Sequence, residues 1–99
     1  MIVSFERSGG FAGIALRSVV NSELLSQPDR AELQQLLEAA DFFALPEKVE
    51  PRPGTADVFH FKISVEDGGR AHTTEFDQAD MPERLKPLVH WLRTRAKPN

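Results

Sequence analysis

The chain contains no cysteine, which removes a disulfide framework, a thiolate-bound zinc and a cysteine nucleophile in one step. It has no excess of positive charge. The formal net charge is -3 with acids and bases interleaved, so no electrostatic footprint for phosphate backbones exists and nucleic acid is not an expected partner. It also has no long apolar run. Nothing approaches the length of a membrane span, and the start, Met1 to Phe11, lacks the basic opening and continuous apolar centre of a signal peptide. These absences lead to the expectation of a cytoplasmic protein that does not engage a membrane. Catalytic signatures are missing as well. No Ser-His-Asp set sits in a motif context, and the stretch Ser8 to Gly13 neither ends in Lys-Ser/Thr nor leads into a helix, as a phosphate-binding loop would. There is no internal repeat, coiled-coil heptad or low-complexity block.

What is present is the composition of one ordinary domain. Ninety-nine residues, 40% hydrophobic and 27% charged, suffice for a single core without metal or disulfides, with a stability on the order of 5–10 kcal/mol. The clearest local signal runs from Asp57 to Phe76. Phe59, Phe61, Ile63 and Val65 alternate with His60, Lys62, Ser64 and Glu66, the period of a half-buried antiparallel strand. Asp67-Gly68 suits a two-residue turn, which places Glu66 opposite Gly69 and Phe59 opposite Phe76. A three-residue loop using Gly69 would turn Phe76 outward, so the pattern favours the shorter turn.

The remaining elements follow in order. Ile2 to Arg7 and Ile14 to Val20 read as a strand pair around a loop holding Gly9, Gly10 and Gly13. Ser26-Gln27-Pro28-Asp29 carries a capping hydroxyl, a first-turn proline and an answering carboxylate, and Leu33, Leu36, Leu37 and Ala40 repeat at helical spacing behind it. Pro46 stops that helix. Residues 47–56, rich in proline and charge, read as a mobile surface connector. Asp80-Met81-Pro82-Glu83 repeats the capping pattern ahead of Leu85, Leu88, Val89 and Leu92, while Pro87 implies a turn over Pro82 to Lys86 with the helix restarting at Pro87, or a kink there. Trp91 falls at the edge of its stripe and is expected half exposed; residues 97–99 are expected to fray.

The expected architecture is a single α+β domain over residues 1–99: a four-stranded, largely antiparallel sheet of two hairpins with two α-helices on one face. The expected core comprises Val3 or Ile2, Phe5, Ile14, Leu16, Leu33, Leu36, Leu37, Phe59, Phe61, Ile63, Val65, Leu85, Leu88, Val89 and Leu92.

Three candidate sites arise from the residues. His60 and His72 on paired strands suggest a metal site, but the register puts them on opposite faces, so they cannot meet at one ion. The carboxylate pairs Glu66 with Asp67 and Glu75 with Asp77 read as solvated sheet rims, without a neighbouring base or nucleophile. The third candidate is a pair of loops that expose apolar side chains: Phe11 among glycines, and Leu24-Leu25 ahead of the Ser26 cap. Phe11 folded over the sheet edge with Leu25 as a hydrophobic staple is one reading; an anchor for another protein is the other.

Arg7-Ser8-Gly9-Gly10-Phe11-Ala12-Gly13, Asp41-Phe42-Phe43-Ala44-Leu45-Pro46, and Phe59-His60-Phe61 followed by Asp67-Gly68, Arg70, His72 and Thr73 occur in the same order and at compatible spacing as in the emfourin family. The chain resembles that family over nearly its whole length. The resemblance implies an inhibitor, not an enzyme, acting in the bacterial cell on protealysin or another thermolysin-like zinc metallopeptidase. Such an inhibitor must occupy the cleft, shield or ligate the zinc with an oxygen donor, and fill the apolar pocket on the primed side. Glu23 is the residue expected at the metal or its water position and Leu24 in the pocket, with Asn21 and Ser22 as backbone and polar contacts and Gly9, Gly10 and Phe11 as a second contact. The zinc would belong to the peptidase, so no cofactor is expected, and the free inhibitor is expected to be a monomer. Phe42, Phe43 and Leu45 are expected to complete the core. The alternative is a non-enzymatic interaction module whose partner is not a protease.

Overall fold

The computed structural model describes residues 1–9, 15–48 and 59–98. Strands β1 (Ile2–Gly9) and β2 (Leu16–Asn21) pair antiparallel, with Val3 opposite Val20 and Phe5 opposite Ser18. Helix α1 (Gln27–Ala40) follows, then β3 (Phe59–Asp67), β4 (Arg70–Asp77), α2 (Lys86–Arg95) and a two-residue strand β5 (Lys97–Pro98). The sheet order is β4-β3-β1-β2-β5. Every strand pair is antiparallel. β1 therefore lies in the middle, and α1 carries the chain from β2 on one side of it to β3 on the other. Both expected hairpins and both expected helices form. The tail expected to fray adds a short fifth strand instead, Lys97 and Pro98 pairing with Arg17 and Leu16.

The alternation read from the sequence places Val3, Phe5, Val20, Phe61, Ile63, Val65, Thr74 and Phe76 on one buried face, covered by Leu33, Leu37, Ala40, Leu85, Leu88, Val89, Trp91 and Leu92 from the helical layer. Leu16, Leu36 and Phe59 lie only partly buried at its margin, and Ile14 falls outside the described residues. The opposite sheet face carries Ser4, Glu6, Arg17, Lys62, Ser64, Thr73 and Glu75, with Ser64 and Thr73 hydroxyls 2.8 Å apart across β3 and β4. One wet face and one dry face is what an antiparallel sheet permits.

The central hairpin turns two residues later along β4's pairing than expected. Asp67 is opposite Arg70 and Phe61 opposite Phe76, so the loop is Gly68-Gly69, not Asp67-Gly68. The reason is backbone sterics. A two-residue loop of the favoured kind needs positive φ at both positions; Gly68 at 55° and Gly69 at 69° take it without cost, whereas the expected turn would have forced Asp67 there. Because the register moves by an even number, Phe76 keeps its face and stacks on Phe61, ring centroids 5.5 Å apart.

Ser26 caps α1 as its spacing predicts, its Oγ accepting from Asp29 N–H at 3.3 Å, with Pro28 in the first turn. The helix ends at Asp41, the one described residue other than glycine with positive φ, at 49°. An aspartate in that conformation carries a steric cost, and its charge meets the negative end of the helix dipole. Asp41→Gly is accordingly expected to raise the unfolding free energy by about 0.5–1 kcal/mol, read as a higher denaturant midpoint at unchanged slope.

At the second helix the sequence expectation splits. Pro87 starts no kink: a 3-10 turn over Glu83–Leu85 leads into α2, and Pro87 sits in its first turn where a missing N–H is harmless. The 3-10 turn itself is counted from Pro82, whose ring carries no capping group. Trp91, expected half exposed, is 6% exposed. Arg95 explains the difference: its guanidinium lies 3.6 Å over the indole while pairing with Asp29 of α1 at 3.4 Å. Of the connector expected to be mobile, Glu47 and Lys48 line the outer edge of β4, where Glu47 O accepts from Glu75 N–H at 2.9 Å; residues 49–56 fall outside the described residues.

Candidate functional site

The turn between β2 and α1 is built by its neighbours. Residues 22–24 form a single 3-10 turn. Asn21 Oδ1 accepts from Glu23 N–H at 3.0 Å, closing the start, and Leu25 N–H donates to Ser22 O at 3.2 Å, closing the end. Ser22 N–H donates to the Met1 carbonyl at 2.9 Å. From α1, Arg30 reaches back: Nε donates to Ser22 O at 3.0 Å and Nη2 to Glu23 O at 3.2 Å. One guanidinium thus satisfies two successive carbonyls, a geometry that a planar fork of donors provides and an ammonium does not.

What this scaffold presents is Leu24. The side chain is 84% exposed, and with Val19 it makes up the exposed large apolar residues among the described ones. Glu23 beside it is also exposed, whereas Leu25 tucks back against the core. The two leucines therefore part, Leu25 packing inward and Leu24 facing outward. Asn21 and Ser22, expected to be polar contacts, serve the turn internally: Asn21 as its cap and Ser22 as a buried residue. Sequence reasoning missed Arg30 and Met1. Neither carries a local signal, because their role appears only when the start of β1 and the first turn of α1 are brought beside the end of β2.

Gly9, the described start of the glycine stretch, lies elsewhere. Gly9 is opposite Phe59 at one end of the sheet, and Asn21 is opposite Ile2 at the other. The separation is roughly 23 Å at about 3.3 Å per strand residue. Gly10 and Phe11 fall outside the described residues. Arg7, just before that loop, projects under the helical layer with its guanidinium 4.1 Å over the Phe59 ring.

At the Leu24 end, the Asp41-to-Pro46 motif forms an aromatic knot. Phe42 is 1% exposed and meets His72 edge-on at 5.6 Å and Phe43 edge-on at 5.8 Å. Arg70 lies 3.7 Å over Phe43. His72 Nε2 donates to Leu45 O at 2.7 Å, and Thr74 Oγ1 donates to Pro46 O at 2.6 Å. Leu45 is buried with Phe42. These residues complete the core, as their composition suggested. A groove of about 240 Å³ opens beside the knot between α1 and the β3–β4 turn, and its lining, which includes Leu37, Glu38, Asp41 and Phe43, holds no histidine, serine or threonine.

The remaining histidines offer no metal centre. His60 faces the helix-free side and His72 the helical side, as the alternation requires, and among the described residues no group of three or more His, Cys, Asp or Glu could hold an ion. Glu75 and Asp77 are not free rims: His60 Nδ1 lies 3.0 Å from Asp77 and Nε2 3.4 Å from Glu75. Among the described residues no helix is long and apolar enough to cross a membrane.

Against known proteins, the family model described as Emfourin matches residues 5–93. The chain belongs to the emfourin family. The match includes β1 from Phe5 on, β2, the 22–24 turn, α1, the aromatic knot, the central hairpin and most of α2, so the turn that presents Leu24 lies inside the emfourin domain. Family membership makes inhibition of a metallopeptidase the function it implies. No curated protein and no solved structure matches the chain.

Proposed function

We propose that this emfourin-family chain is a cytoplasmic, monomeric inhibitor of a thermolysin-like, protealysin-like zinc metallopeptidase, and that it acts by occupying the active-site cleft and not by catalysis. The observation that carries this reading is Leu24: a large aliphatic side chain, 84% exposed, at the tip of a turn whose backbone is tied down on both sides. Exposing a leucine gains nothing for the free chain, whereas burying it in an apolar pocket is worth about 1.5–3 kcal/mol. Holding the tip in place beforehand reduces the ordering cost of binding.

Leu24 enters the primed-side pocket in this reading, and the exposed Glu23 carboxylate approaches the zinc or its water position. Asn21 and Ser22 contribute by shaping the turn, with their backbone at the rim of the contact. A second contact at Gly9 would require the peptidase to reach along the whole of β1, and the proposed contacts at Gly10 and Phe11 fall outside the described residues.

Titration of a thermolysin-like peptidase with this protein tests the reading. Activity should fall to near zero at about one equivalent, and a folded Glu23→Ala, Leu24→Ala double variant should need far more protein for the same effect. Unaltered activity of every such peptidase, with folding confirmed by circular dichroism, would instead favour an interaction module with a different partner.

A further inference from the structure

A side chain held in a primed-side pocket belongs to the residue just after the bond a peptidase cuts, so with Leu24 as anchor the bond at risk is Glu23–Leu24 and the carbonyl at risk is that of Glu23. Cutting it requires that the Glu23 oxygen be polarised by the peptidase's cation while water adds to the carbonyl carbon; the C–N bond then breaks, the Leu24 nitrogen takes up a proton, and a new carboxylate is left on Glu23. In this chain that oxygen already has a partner. It accepts from Arg30 Nη2 at 3.2 Å, and the preceding Ser22 oxygen accepts from Arg30 Nε at 3.0 Å and from Leu25 N–H at 3.2 Å. Both carbonyls are turned towards α1, and the backbone is coiled into a 3-10 turn, not extended as a strand-like substrate would be.

We infer that Arg30 is a positioning residue that keeps the Glu23–Leu24 bond uncut, making the turn an inhibitor and not a substrate. The inference rests on the proposed seating of Leu24 in the cleft. Arg30 suits the task because its own position is fixed independently: its N–H donates to Ser26 O at 2.9 Å in the first turn of α1. Removing the guanidinium therefore frees the two carbonyls without removing the helix that carried it. Lysine would reach one carbonyl but cannot hold both in the fixed fork of arginine.

The test uses a metallopeptidase that the wild-type chain inhibits, incubated with wild type, Arg30→Met, Arg30→Lys and Arg95→Met, with intact-mass spectrometry and residual activity followed over time. Arg95→Met removes a guanidinium whose partners are Asp29 and Trp91 and not the turn, and so reports a general loss of stability. The expected result is wild type intact; Arg30→Met cut between Glu23 and Leu24 about tenfold faster or more, the factor given by loss of one charge-assisted hydrogen bond; inhibition fading as that product accumulates; and Arg30→Lys in between. Arg95→Met is expected to show no excess of that cut. If Arg30→Met stays intact and inhibits as durably as wild type, or is cut only where Arg95→Met is cut, the role assigned to Arg30 is overturned while the inhibitor reading stands. If wild type inhibits no such peptidase, the inhibitor reading itself fails.

Discussion

Leu24→Ala is expected to weaken inhibition of the target peptidase about thirtyfold or more, with the unfolding free energy staying within about 0.5 kcal/mol of the parent. The two halves come from the same observation. At 84% exposure Leu24 makes almost no contact within its own chain, so truncating it removes nothing from the folded state. In a desolvated pocket the same three lost carbons are worth about 2 kcal/mol, and an anchor at the centre of an interface commonly exceeds that figure. Leu24→Asp should be worse still, because it carries a charge into an apolar pocket next to Glu23. Inhibition constants from steady-state titration, together with denaturant midpoints for the same preparations, separate binding from folding. An unchanged inhibition constant for both variants would remove Leu24 from the contact and with it the central claim of the proposed function.

Phe42→Ala should do the opposite, costing about 3–5 kcal/mol of stability by leaving a cavity where a large ring was fully enclosed. Phe42 is 1% exposed and makes edge-on contacts with both Phe43 and His72, so its loss also loosens His72, which holds the Leu45 carbonyl to β4. For a domain of this size that cost is a large share of the total stability of about 5–10 kcal/mol. Urea unfolding should show a midpoint lowered by several tenths of the parent's value, and thermal unfolding a large drop in the midpoint temperature. A loss below about 1 kcal/mol would mean the site collapses around the missing ring. Any inhibition that survives at low temperature, where the variant is still folded, would confirm that the aromatic knot supports the contact and does not form it.

These two residues illustrate how the sequence could be read. Phe42 was legible because a pair of phenylalanines and a leucine at a helix end, stopped by Pro46, have few places to go except the core. Leu24 was legible as a candidate only because of its neighbours: two leucines before a serine cap cannot both act as the staple, and the structure packs Leu25 against the core while leaving Leu24 exposed. The resemblance carried by the motifs supplied the family, and the family match over residues 5–93 bears it out. The turn of the central hairpin was misjudged by a shift that leaves the faces intact, since Asp67-Gly68 and Gly68-Gly69 are both acceptable turn pairs by composition and differ only in which one spares a side chain from positive φ.

The sequence by itself determined the elements and their faces. Period-two alternation, a Ser26 cap with Pro28 behind it, and leucines at helical spacing are interactions between near neighbours, and near neighbours are what a sequence records directly. Tertiary structure alone decided the rest. The central place of β1, the burial of Trp91 beneath Arg95, and the clamp of Arg30 on the Ser22 and Glu23 carbonyls each join residues whose approach depends on how strands and helices dock. Such contacts leave no local pattern because many partners are compatible with each residue, and packing around one shared core selects among them.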